Sequence, residues 1–222
     1  MAGIAKAIKE VRAHIPADVT LVCVSKFHPE QAIREAYDAG ERHFGESRVQ
    51  ELQRKVPQLP ADICWHFIGH LQTNKVRDLL KLRPYLIQSV DSMRLLQAIN
   101  DEAAKQGFVQ DVLLEVHVAK EESKTGLTPS EIEDLRLKME DFPNVHVCGL
   151  MTMATNTEDE KEIRRCFMEA ANSQKLIANS LPAQPVISMG MSDDYRIAIE
   201  CGATMVRIGS TIFGERNYNN DK

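Results

Sequence analysis

The sequence contains no apolar run approaching the roughly 20 residues that a membrane-spanning helix needs, so a bilayer span is excluded. It also lacks an excess of positive charge. Its 27 Lys and Arg stand against 32 Asp and Glu, for a net charge of −5. A nucleic-acid or anionic-membrane partner calls for a basic face, so neither is expected. The five cysteines, Cys23, Cys64, Cys148, Cys166 and Cys201, form no C-x-x-C pair. Four lie in or beside apolar runs and read as buried reduced thiols, which excludes a disulfide framework. The opening stretch MAGIAKAIKEVRAHI is patterned as an amphipathic helix and lacks a signal-peptide core. A soluble, cytoplasmic protein is the expectation. There is no Walker loop, no G-x-G-x-x-G turn and no Ser-His-Asp pattern, which removes the commonest nucleotide-binding and hydrolase readings.

What is present is alternation. Hydrophobic residues make up 43% of 222, enough for one sizeable core. Ile4, Ile8, Val11 and Ile15 mark a leading helix, stopped by Pro16. Strands are then predicted at 19–26, 43–46, 63–69, 85–90, 111–118, 145–153, 185–190 and 204–210. Helices fall between them, one after Pro29, one opened by Asp91 and one capped by Ser192. Capping boxes are read at Thr128/Glu131 and Thr157/Glu160, the first preceded by the polar loop AKEESKTGL. Eight short βα units without a linker, in a chain of this length, predict a single (β/α)8 barrel domain over residues 1–222. The leading helix would cover the barrel's amino-terminal end or pack on its side. The alternative is an open doubly wound sheet, which usually shows a Gly-rich turn after its first strand; VSKFHP has none.

Function in such a barrel gathers at the carboxyl ends of the strands. The first strand, VTLVCVSK, is apolar on both faces and ends in Lys26. A desolvated lysine there can act as a Schiff-base nucleophile, although a strand-end lysine can also simply snorkel to solvent. The loops after strands seven and eight read SMGMSDD and RIGSTIFG. Gly190 and Gly209 permit close backbone approach, and Ser192 and Ser210 supply hydroxyls where barrels bind phosphate. Asp193 and Asp194 would have to turn away from an anion, and both loops also read as ordinary capped turns. Arg207 interrupts an apolar strand and must be paired. Its partner is either an internal carboxylate (Glu46, Glu115 or Asp91) or a ligand's ring nitrogen. A strand-end lysine, a phosphate cradle and a ring-nitrogen partner are the parts of a pyridoxal-phosphate site. Met151, Met153, Met189 and Met191 fall at strand ends where a cofactor ring would lie. Cys64 and His66 share a strand face that could hold a metal, but a structural or cofactor-facing role for His66 fits better, so no metal is expected. His14 and His28 read as surface residues.

These residues bring a family into view. VSK at 24–26, HFGE at 43–46, WHFIGHLQTNK at 65–75, GLMTMA at 149–154, SMGMSDD at 188–194 and VRIGSTIFGER at 206–216 span nearly the whole chain. In combination they resemble the pyridoxal-phosphate homeostasis protein family. That family has the fold-type III barrel also found in the amino-terminal domain of alanine racemase. The resemblance implies pyridoxal 5'-phosphate as cofactor and a Schiff base on Lys26. It implies Arg207 at the pyridine nitrogen and Ser192, Gly209 and Ser210 at the phosphate, with Ser188, Met151, His66 and Ser47 as further contacts. Family members commonly carry Asn after FGE, whereas Ser47 stands here. The implied role is a carrier or buffer of the cofactor, with apo-enzymes that need it as recipients, in a monomer or weak homodimer. The alternative is a weakly active racemase or lyase. Alanine racemase draws a second base from a further domain and partner subunit, and this sequence ends soon after strand eight, at NYNNDK.

Overall fold

The computed structural model describes residues 3–118, 125–178 and 181–214. Most of the loop AKEESKTGL and the terminal NYNNDK lie outside the described residues. Helix α1 (Ile4–Arg12) precedes strand β1 (Thr20–Val24). There follow α2 (Glu30–Asp38), β2 (His43–Glu46), α3 (Val49–Lys55), β3 (Cys64–Phe67), α4 (Val76–Leu80) and β4 (Leu86–Val90). Next come α5 (Met93–Gln106), β5 (Gln110–Glu115), α6 (Pro129–Arg136), β6 (Val145–Met151) and α7 (Glu160–Leu176). The chain continues through β7 (Val186–Ser188), α8 (Tyr195–Glu200), β8 (Met205–Ile208) and the short α9 (Ser210–Phe213). Each strand pairs in parallel with the next, and β8 closes back on β1 from Thr20↔Met205 to Cys23↔Ile208. That last pairing rules out the open sheet.

The strands lose apolar/polar alternation because each meets side chains on both faces. The core therefore has two compartments. The larger lies between the barrel wall and the helices, where Ile33 and Ala36 of α2 and Leu96 and Ile99 of α5 are fully buried. The smaller is a plug inside the barrel made of Val22, Leu86, Leu113, Met151 and Met205. Each buried Leu, Ile or Phe contributes about 1.5–3 kcal/mol, so the outer compartment supplies most of the stability. Helix α1 packs on the side, against α2 and α9, and Arg12 grips the buried Glu41 through bonds of 2.8 and 2.6 Å.

Helix starts follow local hydrogen bonding more than the predicted signals. The Thr128/Glu131 box forms in full, with Pro129 as the first helical residue. The Thr157/Glu160 box does not, because Asp159 lies nearer the start of α7 and its carboxylate accepts from the Lys161 N–H. Ser92, not Asp91, caps α5 by accepting from the Leu95 N–H. Asp91 is drawn instead to His70 Nδ1 at 3.1 Å. Three cysteines are buried as expected, but Cys64 and Cys148 are only partly covered, and all five are free. His14 is exposed. His28 is buried, stacked on Phe213 with ring centroids 5.1 Å apart.

Candidate functional site

Strand β1 ends at Val24, two residues before Lys26, because the chain turns sharply there. Phe27 adopts φ 66°, a left-handed conformation that a bulky residue takes only under constraint. The constraint is ionic. Lys55, at the end of α3, is wholly buried, and its Nζ donates to Ser25 O at 3.0 Å and to Glu46 Oε1 and Glu51 Oε2 at 2.8 Å each. Ser25 Oγ donates to the same Glu46 oxygen at 2.6 Å, and the Phe27 N–H donates to Glu51 Oε2 at 2.9 Å. The residues on both sides of Lys26 are thus tied to one buried cluster. All three ammonium protons are used. Burial pushes the Glu46 carboxyl up to about 7 against the pull of Lys55. Burial also pushes Glu51 up, but Lys55 and the Phe27 N–H outweigh it and hold that carboxyl below its ordinary value. Sequence reading missed this cluster. The available signal was Lys55 falling on the same buried helix face as Val49 and Leu52.

Arg207 stands on β8, beside the strand that leads to Lys26, with 5% exposure. Its Nη1 donates to Ser188 Oγ at 2.7 Å and its Nη2 to the Thr152 carbonyl at 2.9 Å. Ser188 Oγ donates in turn to Gln88 Oε1 at 2.7 Å. Gln88 Nε2 lies 2.8 Å from His66 Nδ1, and His66 Nε2 lies 2.9 Å from His43 Nδ1. A continuous polar chain therefore crosses the barrel interior from β8 through β7, β4 and β3 to β2. Burial lowers the guanidinium to about 10, opposed by the charges of Asp194 and Glu115, so it stays charged at neutral pH. Of the two readings of Arg207, the internal carboxylate partner is not met among the described residues: Glu46 is held by Lys55, Asp91 pairs with His70, and Glu115 acts on Arg207 through its field.

The polar chain engages two of the residues expected to contact a ligand. Ser188 is fully buried, with its hydroxyl engaged by Arg207 and Gln88, so it holds the guanidinium in place. Both ring nitrogens of the fully buried His66 are in use, and burial with the neighbouring His43 keeps it neutral. The metal reading of Cys64 with His66 is removed by the same bonds. Met151 belongs to the interior plug and Met189 to the outer core, while Met191 is 41% exposed at the rim.

The loops after β7 and β8 converge. Ser210 Oγ donates to Ser192 Oγ at 3.0 Å, and Gly209 lies against the end of β1, where an added Cβ would come within 3.2 Å of the Val24 carbonyl. Ser192 therefore does not cap α8. Asp194 occupies that position, with its carboxylate turned back to accept the Met191 N–H at 2.6 Å. Gly190, at φ 92°, is needed because a Cβ would sit 2.6 Å from Ala198 on α8. Ser47 heads the loop after β2, and its carbonyl fills the space a Gly69 side chain would need. Gly69 O in turn accepts from Ser89 Oγ at 2.5 Å, which stitches three strand ends together. Beside this rim, a cleft of about 460 Å³ opens between the loops after β6 and β7, lined by Met153, Asn156, Glu158, Met191, Asp193 and Ile197 among others.

Comparison with known proteins agrees with this fold. The profile of the alanine racemase N-terminal domain matches residues 1–217. The pyridoxal phosphate homeostasis protein of Aquifex aeolicus is 43% identical over 200 residues, covering 89% of this chain and 87% of its own. That of Schizosaccharomyces pombe is 36% identical over 201 residues, covering 90% and 85%. PipY of Synechococcus elongatus PCC7942, solved with PLP bound, superposes with a TM-score of 0.87 at 35% identity, covering 95% of this chain and all of PipY. Alanine racemase of Corynebacterium glutamicum shares the fold at a TM-score of 0.79 and 15% identity, with 96% of this chain matching 60% of that one. The chain belongs to the alanine racemase N-terminal-domain family, among the pyridoxal phosphate homeostasis proteins.

Proposed function

We propose that this protein binds pyridoxal 5'-phosphate and carries or buffers it for enzymes that need the cofactor. One observation carries the reading. Three adjacent strands, β7, β8 and β1, bring a converging serine pair, a fixed charged arginine and a lysine to the same barrel edge. The donor set suits the ligand. Ser192, Ser210 and the first amides of α9 offer donors to a dianionic phosphate. Arg207 offers an N–H to the pyridine nitrogen. The amine of Lys26 would hold the aldehyde carbon as a Schiff base.

When bound, the cofactor supplies an electron sink for carbanion chemistry. Arg207 argues against strong use of it here. A guanidinium that stays charged would donate to the ring nitrogen and favour its unprotonated form, which would weaken the sink. The bonds to Ser188 and Thr152 fix that donor in place. The PLP-bound structure of PipY supports binding of the cofactor, and the relatives named for pyridoxal phosphate homeostasis support a carrier or buffer.

Borohydride reduction followed by peptide mapping should place a pyridoxyl group on Lys26. Labelling only at another lysine, such as Lys75, would overturn the assignment. Holoprotein mixed with an apo-enzyme that requires the cofactor should restore its activity. Turnover of any amino acid at about 1 s⁻¹ or faster would replace the carrier reading with a racemase or lyase.

A further inference from the structure

The amino-terminal end of the barrel, opposite the Lys26 edge, carries a second group of chemically competent side chains. Asp111 on β5 pairs in register with His146 on β6. Parallel neighbours in register project to the same face. Between Val112 and Leu113 the register shifts, so that Val147 faces Val112 while Gly149 faces Leu113, and Cys148 is the extra residue of a bulge. Bulges re-aim side chains, and this one directs the Cys148 sulfur to 3.5 Å from His146 Nδ1. His146 Nδ1 also lies 2.9 Å from Asp111 Oδ1. One donor atom from each residue lies within 4.8 Å of the other two.

We propose that Asp111, His146 and Cys148 form a binding site for a divalent transition metal, zinc being the best match, with a fourth position open to water. Tetrahedral zinc has bonds of about 2.0–2.3 Å to N, O and S donors, which sets ligand-to-ligand edges of roughly 3.3–3.8 Å. The 3.5 Å separation of nitrogen and sulfur already fits, and the 2.9 Å separation of nitrogen and oxygen must open by a few tenths of an ångström. The donor mixture selects the metal. A thiolate with an imidazole favours zinc over magnesium or calcium, which prefer all-oxygen shells. On binding, the Cys148 thiol releases its proton to solvent, and the resulting thiolate together with the carboxylate carries two negative charges, which the divalent cation neutralises. Access is open, since the side chains of His146 and Asp111 are 53% and 47% exposed. As a bare ion pair so exposed, Asp111 and His146 would contribute at most about 1 kcal/mol, and that pairing gives no reason for the bulge that brings the thiol to them.

The test uses the full chain, stripped of metal, with Co²⁺ as the probe and Zn²⁺ as competitor. One equivalent of Co²⁺ should produce a near-ultraviolet thiolate-to-metal band, which Zn²⁺ abolishes. Cys148→Ser should lose the band. Asp111→Asn and His146→Gln, which keep the fold's shape and the thiol, should each weaken Zn²⁺ binding at least tenfold. Cys64→Ser, at the neighbouring half-covered thiol, should change neither reading. The proposal is overturned if no thiolate band appears, if the band survives Cys148→Ser or vanishes in Cys64→Ser, or if His146→Gln binds Zn²⁺ as tightly as the parent.

Discussion

Replacing Lys55 by methionine tests the reasoning about the Lys26 edge most directly. Methionine fills similar space but provides no donor. The parent ammonium makes three hydrogen bonds, of 3.0, 2.8 and 2.8 Å, at a fully buried position. Without it, Glu46 keeps only the Ser25 hydroxyl and Glu51 only the Phe27 N–H among the contacts described above. Removing one partner of a buried ion pair costs about 3–5 kcal/mol, because the remaining charge is left uncompensated. Glu46 can escape part of that cost by holding a proton, since burial already raises it to about 7 with the cation present. The loss should therefore lie near the lower end, about 3 kcal/mol. Urea unfolding should show a lower midpoint with an unchanged slope. Lys55→Met combined with Glu46→Leu and Glu51→Gln should recover much of the loss, because replacing every charge of a buried ionic cluster is often neutral, and the glutamine oxygen still accepts from the Phe27 N–H. The turn at Ser25–Phe27 loses its shared anchor in the single variant, so borohydride trapping at Lys26 should fall as well. A single-variant loss below about 1 kcal/mol would refute the claim that this cluster holds the turn.

Three further outcomes are expected. Glu46 has a folded-state pKa above its unfolded value, so between about 4.5 and 7 the native state holds a proton that the unfolded chain has released, and stability falls as pH rises through that window. The parent should therefore lose stability relative to Glu46→Gln over that range, and a flat difference between the two would contradict the raised value. Gly69→Ala should destabilise by on the order of 2 kcal/mol, read by thermal unfolding, because the new methyl meets the Ser47 backbone, which no side-chain rotation can move aside. Ser192→Ala should weaken pyridoxal phosphate binding by roughly 1–3 kcal/mol, while Asp193→Asn, an exposed position, should leave it unchanged; titration by absorbance separates the two.

The sequence by itself determined the architecture. Eight apolar runs of strand length, separated by helices with a single buried stripe, bury both faces as a parallel sheet covered by helices, and their number favours closure, which the pairing of β8 with β1 decides. It also determined which residues stand at the carboxyl edge of the barrel, because a strand's carboxyl end is read directly from where its apolar run stops. Lys26, Arg207 and the two serine-bearing loops are local features of that kind.

What the tertiary structure decided are the pairings, since a pairing depends on which strands become neighbours. Arg207 advertised its need for a partner, but the choice among Glu46, Glu115, Asp91 and others was invisible until β7 placed Ser188 beside it. His66 looked available for a ligand until Gln88 and His43 took both its nitrogens. Lys55, 29 positions beyond Lys26, became its scaffold only when α3 packed across the end of β1. Cap positions moved by one or two residues because the side chain closest to the free amides wins, and that distance is set by how each loop enters its helix. The bulge that brings Cys148 to His146 and Asp111 follows from the register between β5 and β6, and register between strands 30 or more residues apart is a property of the closed barrel.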